Sequence, residues 1–134
     1  MTDEDAILAA NAAYYHGFGA ADLARMSLVW ADDDVSCVHP GWPALIGRQA
    51  VLQSYRDILG SPLQAAIDYR DGLAMVSGSE GRVFCTEIVG GMTLVATNWF
   101  RRIGGDWRLI HHQASPIAAF INKEASQPSL GRLN

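Results

Sequence analysis

Charge and cysteine are both scarce in this chain. Ten basic and 14 acidic residues leave a net charge of −4 over 134 residues. The basic ones are scattered apart from the pair Arg101-Arg102, so no nucleic-acid-binding stripe forms. The only two cysteines, Cys37 and Cys85, stand in apolar strand contexts without CxxC spacing, which predicts buried free thiols rather than a disulfide or a zinc site. No apolar run is long enough to span a bilayer, and Thr2-Asp3-Glu4-Asp5 is acidic where a signal peptide would be basic. A cytoplasmic protein with no membrane partner is expected. Neither a GxSxG elbow, nor a glycine-rich phosphate loop, nor a metal-ligand spacing such as HxxxH occurs, so no metal and no cofactor is expected. The length fits one domain over residues 1–134, and 49% hydrophobic content against 18% charged favours a homo-oligomer.

Present instead are two Gly-Gly turns between β-rich runs, Val89-Gly90-Gly91-Met92 and Ile103-Gly104-Gly105-Asp106. Such pairs supply the positive φ that tight hairpins require, and they predict three consecutive antiparallel strands. The register that follows places Val83/Asn98/His111, Cys85/Ala96/Gln113 and Glu87/Leu94/Ser115 in rows on one face, together with Phe100 and Leu109. The other face carries Phe84, Thr86, Ile88, Val95, Thr97, Trp99, Ile110 and His112, too apolar for open solvent and suited to a second subunit.

Upstream, Thr2 and Asp5 form a capping-box start, and Ile7, Leu8, Asn11, Tyr14, Tyr15 and Phe18 recur at helical spacing as far as Gly17/Gly19. A short second helix is expected from about Ala21 to Val29, a strand over Val35 to Val38, and a third helix from Gly47-Arg48 to Gly60. Ala65 to Ser77 reads as a strand with a bulge at Asp71-Gly72. After Pro116 an apolar turn over Ile117 to Ile121 and a partly flexible polar tail are expected, the tail spanning about 118–134. The order is α+β: helices segregated to one side of a bent antiparallel sheet that closes partway into a cone.

Several residues on this scaffold suit chemistry. His111 has an imidazole near neutral pKa with Asn98 across the strand pair to fix its tautomer or polarise an oxygen; a satisfied core histidine is the competing reading. Glu87 is the one carboxylate interior to the three hairpin strands, and an apolar cavity would raise its pKa as a general base requires. Its backbone lies on the order of 16 Å from that of His111 on a flat sheet, so the two can flank a ligand but form no dyad, and a single bulge would turn Glu87 outward. His112 points toward the suspected interface. His39 and Trp42 share the loop His39-Pro40-Gly41-Trp42-Pro43, which either sets an imidazole and an indole against a flat ligand or makes a tight turn with Trp42 plugging the core. Tyr14, Trp30 and Tyr55 are core first. Phe100 and Gln113 join the ligand face, and Arg48 pairs with the run Asp32 to Asp34.

Three segments carry a resemblance in their order and spacing: Val35-Ser36-Cys37-Val38-His39-Pro40-Gly41-Trp42, then Gly47-Arg48 with Val51 and Tyr55, then Ala96-Thr97-Asn98-Trp99-Phe100 with Trp107-Arg108-Leu109-Ile110-His111-His112-Gln113-Ala114-Ser115-Pro116. From about Asp5 to Ile117 the chain resembles the NTF2-like superfamily, in particular its SnoaL-like branch, and its ending is similar to the association domain of calmodulin-dependent kinase II. In the SnoaL-like branch a third histidine typically stands where this chain has Gln113. The resemblance implies a conical α+β barrel with about three N-terminal helices packed on the concave side of the sheet, a hydrophobic cavity, and dimerisation through the outer face. It implies no single reaction, since the superfamily includes polyketide cyclases, ketosteroid isomerase, scytalone dehydratase, limonene epoxide hydrolase and non-catalytic adaptors.

The expectation is therefore a homodimer that binds a small, largely apolar molecule. Catalysis would be cofactor-independent isomerisation, dehydration or cyclisation, with His111 or Glu87 as base and Asn98 assisting. Tyr14, His39, Trp42, Tyr55, Phe100 and Gln113 would be the ligand contacts. The alternative is a non-catalytic dimerisation or protein-interaction module.

Overall fold

The computed structural model describes residues 1–63 and 66–118. The amino-terminal helix α1, Asp3–Gly19, starts as its sequence dictates: Asp5 N–H donates to Thr2 Oγ1 at 3.1 Å and Thr2 N–H to the Asp5 carboxylate at 3.3 Å. Helix α2, Leu23–Val29, begins later than Ala21, because Ala21 sits at φ +52° and Asp22 takes the cap, accepting from Arg25 N–H. Strands β1 (Ser36–Val38) and β2 (Leu45–Ile46) flank the His39 loop; β2, two residues long, leaves no periodicity to read. Helix α3, Arg48–Leu59, follows.

Arg48 does more than meet Asp32, whose carboxylate is 3.8 Å away. Its guanidinium donates to the carbonyls of Ser27, Trp30 and Ala31, tying α3 to the carboxyl-terminal end of α2.

Strands β3 (Ile67–Ser77), β4 (Glu80–Val89), β5 (Met92–Ile103) and β6 (Asp106–Pro116) form an antiparallel meander. The complete sheet has the order β2-β1-β6-β5-β4-β3, with β1 parallel to β6. All four hairpin glycines, Gly90, Gly91, Gly104 and Gly105, have φ between +55° and +89°, the primed-turn geometry expected. The β3 bulge falls between Arg70 and Leu73 with Asp71 at φ +62°. Beyond it Leu73 and Met75 point outward, 62% and 48% exposed.

Between β4 and β5 the rows are those expected: Val83 pairs with Asn98, Cys85 with Ala96 and Glu87 with Leu94. Between β5 and β6 they are not. Trp99 pairs with His111 and Phe100 with Leu109, so Ile110 is an extra residue. The Leu109 carbonyl is taken by Ala31 N–H at 2.9 Å, next to a bridge from Trp30, and β6 leaves the ladder for one residue. Every side chain beyond that point changes face. Asn98 therefore stands opposite His112, while His111, Gln113 and Ser115 lie on the outer surface. The expected row Val83/Asn98/His111 is corrected accordingly.

The helices close the concave side, α1 lying against β3, β4 and β6 and α3 against β1 and β2. Ile7, Trp30, Tyr55, Val83, Phe100 and Leu109 are fully buried between the layers and form the centre of the core. Residues 119–134, on which most of the expected tail falls, lie outside the described ones.

Candidate functional site

Between α1, the loop after β1 and the sheet a cavity of about 230 Å³ remains. Its walls are Tyr14 and Phe18 of α1, His39 and Trp42 of the loop after β1, and Glu87 and His112 of the sheet. Ile67, Val89, Met92 and Leu94 make the rest of the sheet side apolar. A wider cleft of about 530 Å³ between α1, α2 and Trp107 is open, and its ionic groups, Arg25, Asp106 and Arg108, keep contact with solvent. The smaller cavity is where buried polar groups converge, and it is the candidate site.

Glu87 is 3% exposed. Burial raises its carboxyl above the usual range, and the Tyr15 hydroxyl, donating to Oε2 at 2.6 Å, pulls in the opposite direction. Tyr15 in turn accepts from Asn98 Nδ2 at 3.1 Å, and Asn98 Nδ2 also donates to Asn11 Oδ1 at 2.8 Å. The remaining end of that carboxamide, Oδ1, lies 2.5 Å from His112 Nδ1. A polar spine thus runs His112, Asn98, Tyr15, Glu87 behind the cavity wall, with Asn98 wholly buried and committed at both ends. Tyr69 stacks on Tyr15 at 4.2 Å between centroids and holds its ring.

Beside His112, with ring centroids 6.3 Å apart, His39 has its Nε2 2.9 Å from Ser54 Oγ, and Ser54 Oγ donates to the Val51 carbonyl at 2.6 Å. The rings of His39 and Trp42 meet edge to face at 5.0 Å. Behind them Tyr14 and Tyr55 share a hydroxyl hydrogen bond of 2.7 Å. Burial lowers His39 to about 4 and, with help from the neighbouring His39 and His111, lowers His112 to about 3. Burial also pushes the free Cys37 thiol up to about 12, so neither imidazole nor thiol carries charge near neutrality. Among the described residues no group of three or more His, Cys, Asp or Glu converges as metal ligands would.

These buried groups make stability depend on pH. Both imidazoles stay neutral in the fold but protonate in the unfolded chain, which binds up to two more protons between about pH 6.5 and pH 4. Stability is therefore lost as pH falls through that window, by up to about 1.4 kcal/mol per pH unit for each imidazole. Glu87 acts in the other sense: the fold holds its proton more tightly, so its share is lost as pH rises from the ordinary carboxylate value to the raised one. His112→Asn should remove about one proton from the slope, read from urea unfolding across the window; an unchanged slope would mean that His112 titrates normally.

Of the residues singled out from sequence, the structure brings Glu87, Tyr14, His39 and Trp42 to the cavity. Asn98 stands one layer behind, and Tyr55 and Phe100 are core, 0% exposed. His111 and Gln113 are on the outer surface, where His111 Nδ1 meets Ser36 Oγ at 2.7 Å and Nε2 meets Gln113 Oε1 at 3.2 Å. The inward imidazole of this pair is His112. Sequence reasoning missed Ser54, Asn11 and Tyr15 as polar partners, although the last two were legible on the inward stripe of α1.

Residues 7–119 match the profile of the SnoaL-like domain. The chain is 36% identical to a "putative dehydratase from the NTF2-like family" of Streptomyces avermitilis, with a TM-score of 0.79 over 87% of this chain and 97% of that one. It is 31% identical to a "putative calcium/calmodulin-dependent protein kinase type II association domain" from Thiobacillus denitrificans, with a TM-score of 0.75 over 83% of this chain and 94% of that one. A ketosteroid isomerase-like protein from Erwinia carotovora atroseptica shares the fold at 21% identity, with a TM-score of 0.69 over 87% and 97%. No curated protein matches the sequence. With a family profile spanning most of its length and a 36% identical structural relative, the chain belongs to the SnoaL-like family of the NTF2-like fold.

Proposed function

We propose that this protein binds a small, largely apolar organic molecule in the cavity and moves a proton within it, with Glu87 as the base and no cofactor. The observation that carries the reading is a buried carboxyl, raised by desolvation and steadied by Tyr15, on the wall of a cavity where Glu87 is the one acidic group among the described lining residues. Isomerisation, dehydration and cyclisation all begin with such a transfer. Dehydration draws support from the Streptomyces avermitilis relative. Tyr14, Trp42 and His39 would flank the ligand, and the site belongs to a cytoplasmic protein.

Nitrobenzisoxazole serves as a probe: a carboxylate takes its C–H proton, the N–O bond breaks, and a coloured cyanophenolate forms. Saturable turnover is expected in the wild type and should vanish in Ile67→Trp, which fills the cavity. No saturable turnover, or turnover indifferent to the filled cavity, would defeat the proposal.

The outer sheet face supports a further element of the reading, homodimerisation. Val95, Met75 and Leu73 are exposed there beside Trp99, and Arg82 lies 5.3 Å from the Trp99 ring. Light scattering should give twice the 14.5 kDa chain mass, and Val95→Arg should reduce it to one chain. A monomeric wild type would leave that apolar face without a second copy. Such a dimer without any turnover would favour the non-catalytic assembly module.

A further inference from the structure

Resting on the cavity reading above, we infer that this site selects an uncharged ligand that enters hydroxyl-first, an alcohol or a phenol, over the corresponding ketone or carboxylate. The ground is the direction of the hydrogen bonds behind the wall. Asn98 directs both amide hydrogens to Asn11 and Tyr15, so its amide nitrogen is fixed and its oxygen faces His112. An amide oxygen only accepts, so His112 Nδ1 carries the proton. The ring is neutral, and its Nε2 is then a bare lone pair. Among the described residues nothing donates to that Nε2, and it is not among the buried atoms left without a partner, so it reaches the cavity that His112 lines.

His39, whose ring lies 6.3 Å from that of His112, is fixed in the same way. Ser54 has one hydroxyl hydrogen and gives it to the Val51 carbonyl, so His39 Nε2 must be the donor to Ser54 Oγ. That leaves His39 Nδ1 unprotonated, with only the Cys37 thiol 3.8 Å away. Glu87 Oε2 already accepts from Tyr15, and its other oxygen adds an acceptor once the carboxyl ionises. With Glu87 ionised, as the proposed base must be, acceptors dominate this lining: the hydrogens of Asn98 go to Asn11 and Tyr15, that of Tyr15 to Glu87, and one hydroxyl hydrogen of the Tyr14–Tyr55 pair lies between the two rings' oxygens. Trp42 keeps its indole at the rim, 40% exposed. A carbonyl oxygen placed against His112 would set lone pair on lone pair, whereas a hydroxyl would complete a hydrogen bond. Among the described residues the lining contains neither lysine nor arginine, so a carboxylate would meet the ionised Glu87 with no cation to offset it. At about 230 Å³ the space suits a molecule of one or two rings.

Calorimetry with matched skeletons tests this: tetralol against tetralone, cyclohexanol against cyclohexanone, and tetralin carboxylate. The alcohols should bind at least about tenfold tighter than their ketones, and the carboxylate should not bind measurably. His112→Phe should bring the alcohol down to the ketone's affinity. Two-bond ¹⁵N–¹H spectra of the wild type supply a readout independent of any ligand, and should show His112 as the Nδ1–H tautomer and His39 as Nε2–H. Ketones binding as tightly as alcohols, or His112 protonated on Nε2, would overturn the hydroxyl preference and leave the cavity reading standing. Failure of both ring pairs to bind would remove the cavity reading, and the preference with it.

Discussion

Glu87→Gln should lower nitrobenzisoxazole turnover by about 10²–10⁴-fold, the contribution typical of a positioned general base. The substitution preserves shape, and Tyr15 can still donate to the carbonyl oxygen of the new amide, so the spine behind the wall is kept. Only the ability to take a proton is lost. The stability of the variant should match or exceed that of the wild type, because a buried carboxylate that resists ionisation is replaced by a neutral amide. Circular dichroism and urea midpoints separate this outcome from misfolding. Residual turnover within tenfold of wild type would mean that another group is the base.

Asn98→Leu should cost on the order of 3–5 kcal/mol of folding stability. Asn98 is 0% exposed and joins three partners on α1 and β6: Asn11, Tyr15 and His112. Leucine fills the volume but leaves the Asn11 oxygen and the His112 N–H without partners in a dry interior, and Tyr15 loses the donor that orients it toward Glu87. Thr97→Val, next in the strand but on the outer face, is the control and should change stability by no more than about 0.5 kcal/mol. A cost below about 1 kcal/mol for Asn98→Leu would show that the network contributes little.

The fold was largely legible in the sequence because its decisive signals are local. Four hairpin glycines set the strand boundaries, Thr2 and Asp5 set the start of α1, and the positions of Asp71-Gly72 marked the β3 bulge. The candidate site was legible only in part. Glu87 and Asn98 come out on the inner face because no bulge intervenes between β4 and β5. His111 and His112 exchange roles because the bulge at Ile110 arises from a tertiary contact, Ala31 N–H on the Leu109 carbonyl, which no strand pattern encodes. A trace was nevertheless available: Leu109 and Ile110 are consecutive apolar residues, and beyond them Ala114 alternates with Gln113 and Ser115, so the even-numbered positions are the less polar ones. The polar partners of the site escaped notice for a similar reason. Asn11 and Tyr15 share the inward stripe of α1 with Ile7 and Phe18, and their role emerges only when Asn98 and Glu87, far along the chain, are packed against them.

The most direct test is the pH dependence of kcat/KM for the benzisoxazole probe, set beside the titration of the Glu87 side-chain carboxyl followed by ¹³C NMR. The two midpoints should coincide above the ordinary carboxylate range, with activity rising as the carboxyl ionises and the rise absent in Glu87→Gln. A carboxyl that titrates at its ordinary value, or an activity profile that ignores its titration, would contradict the account.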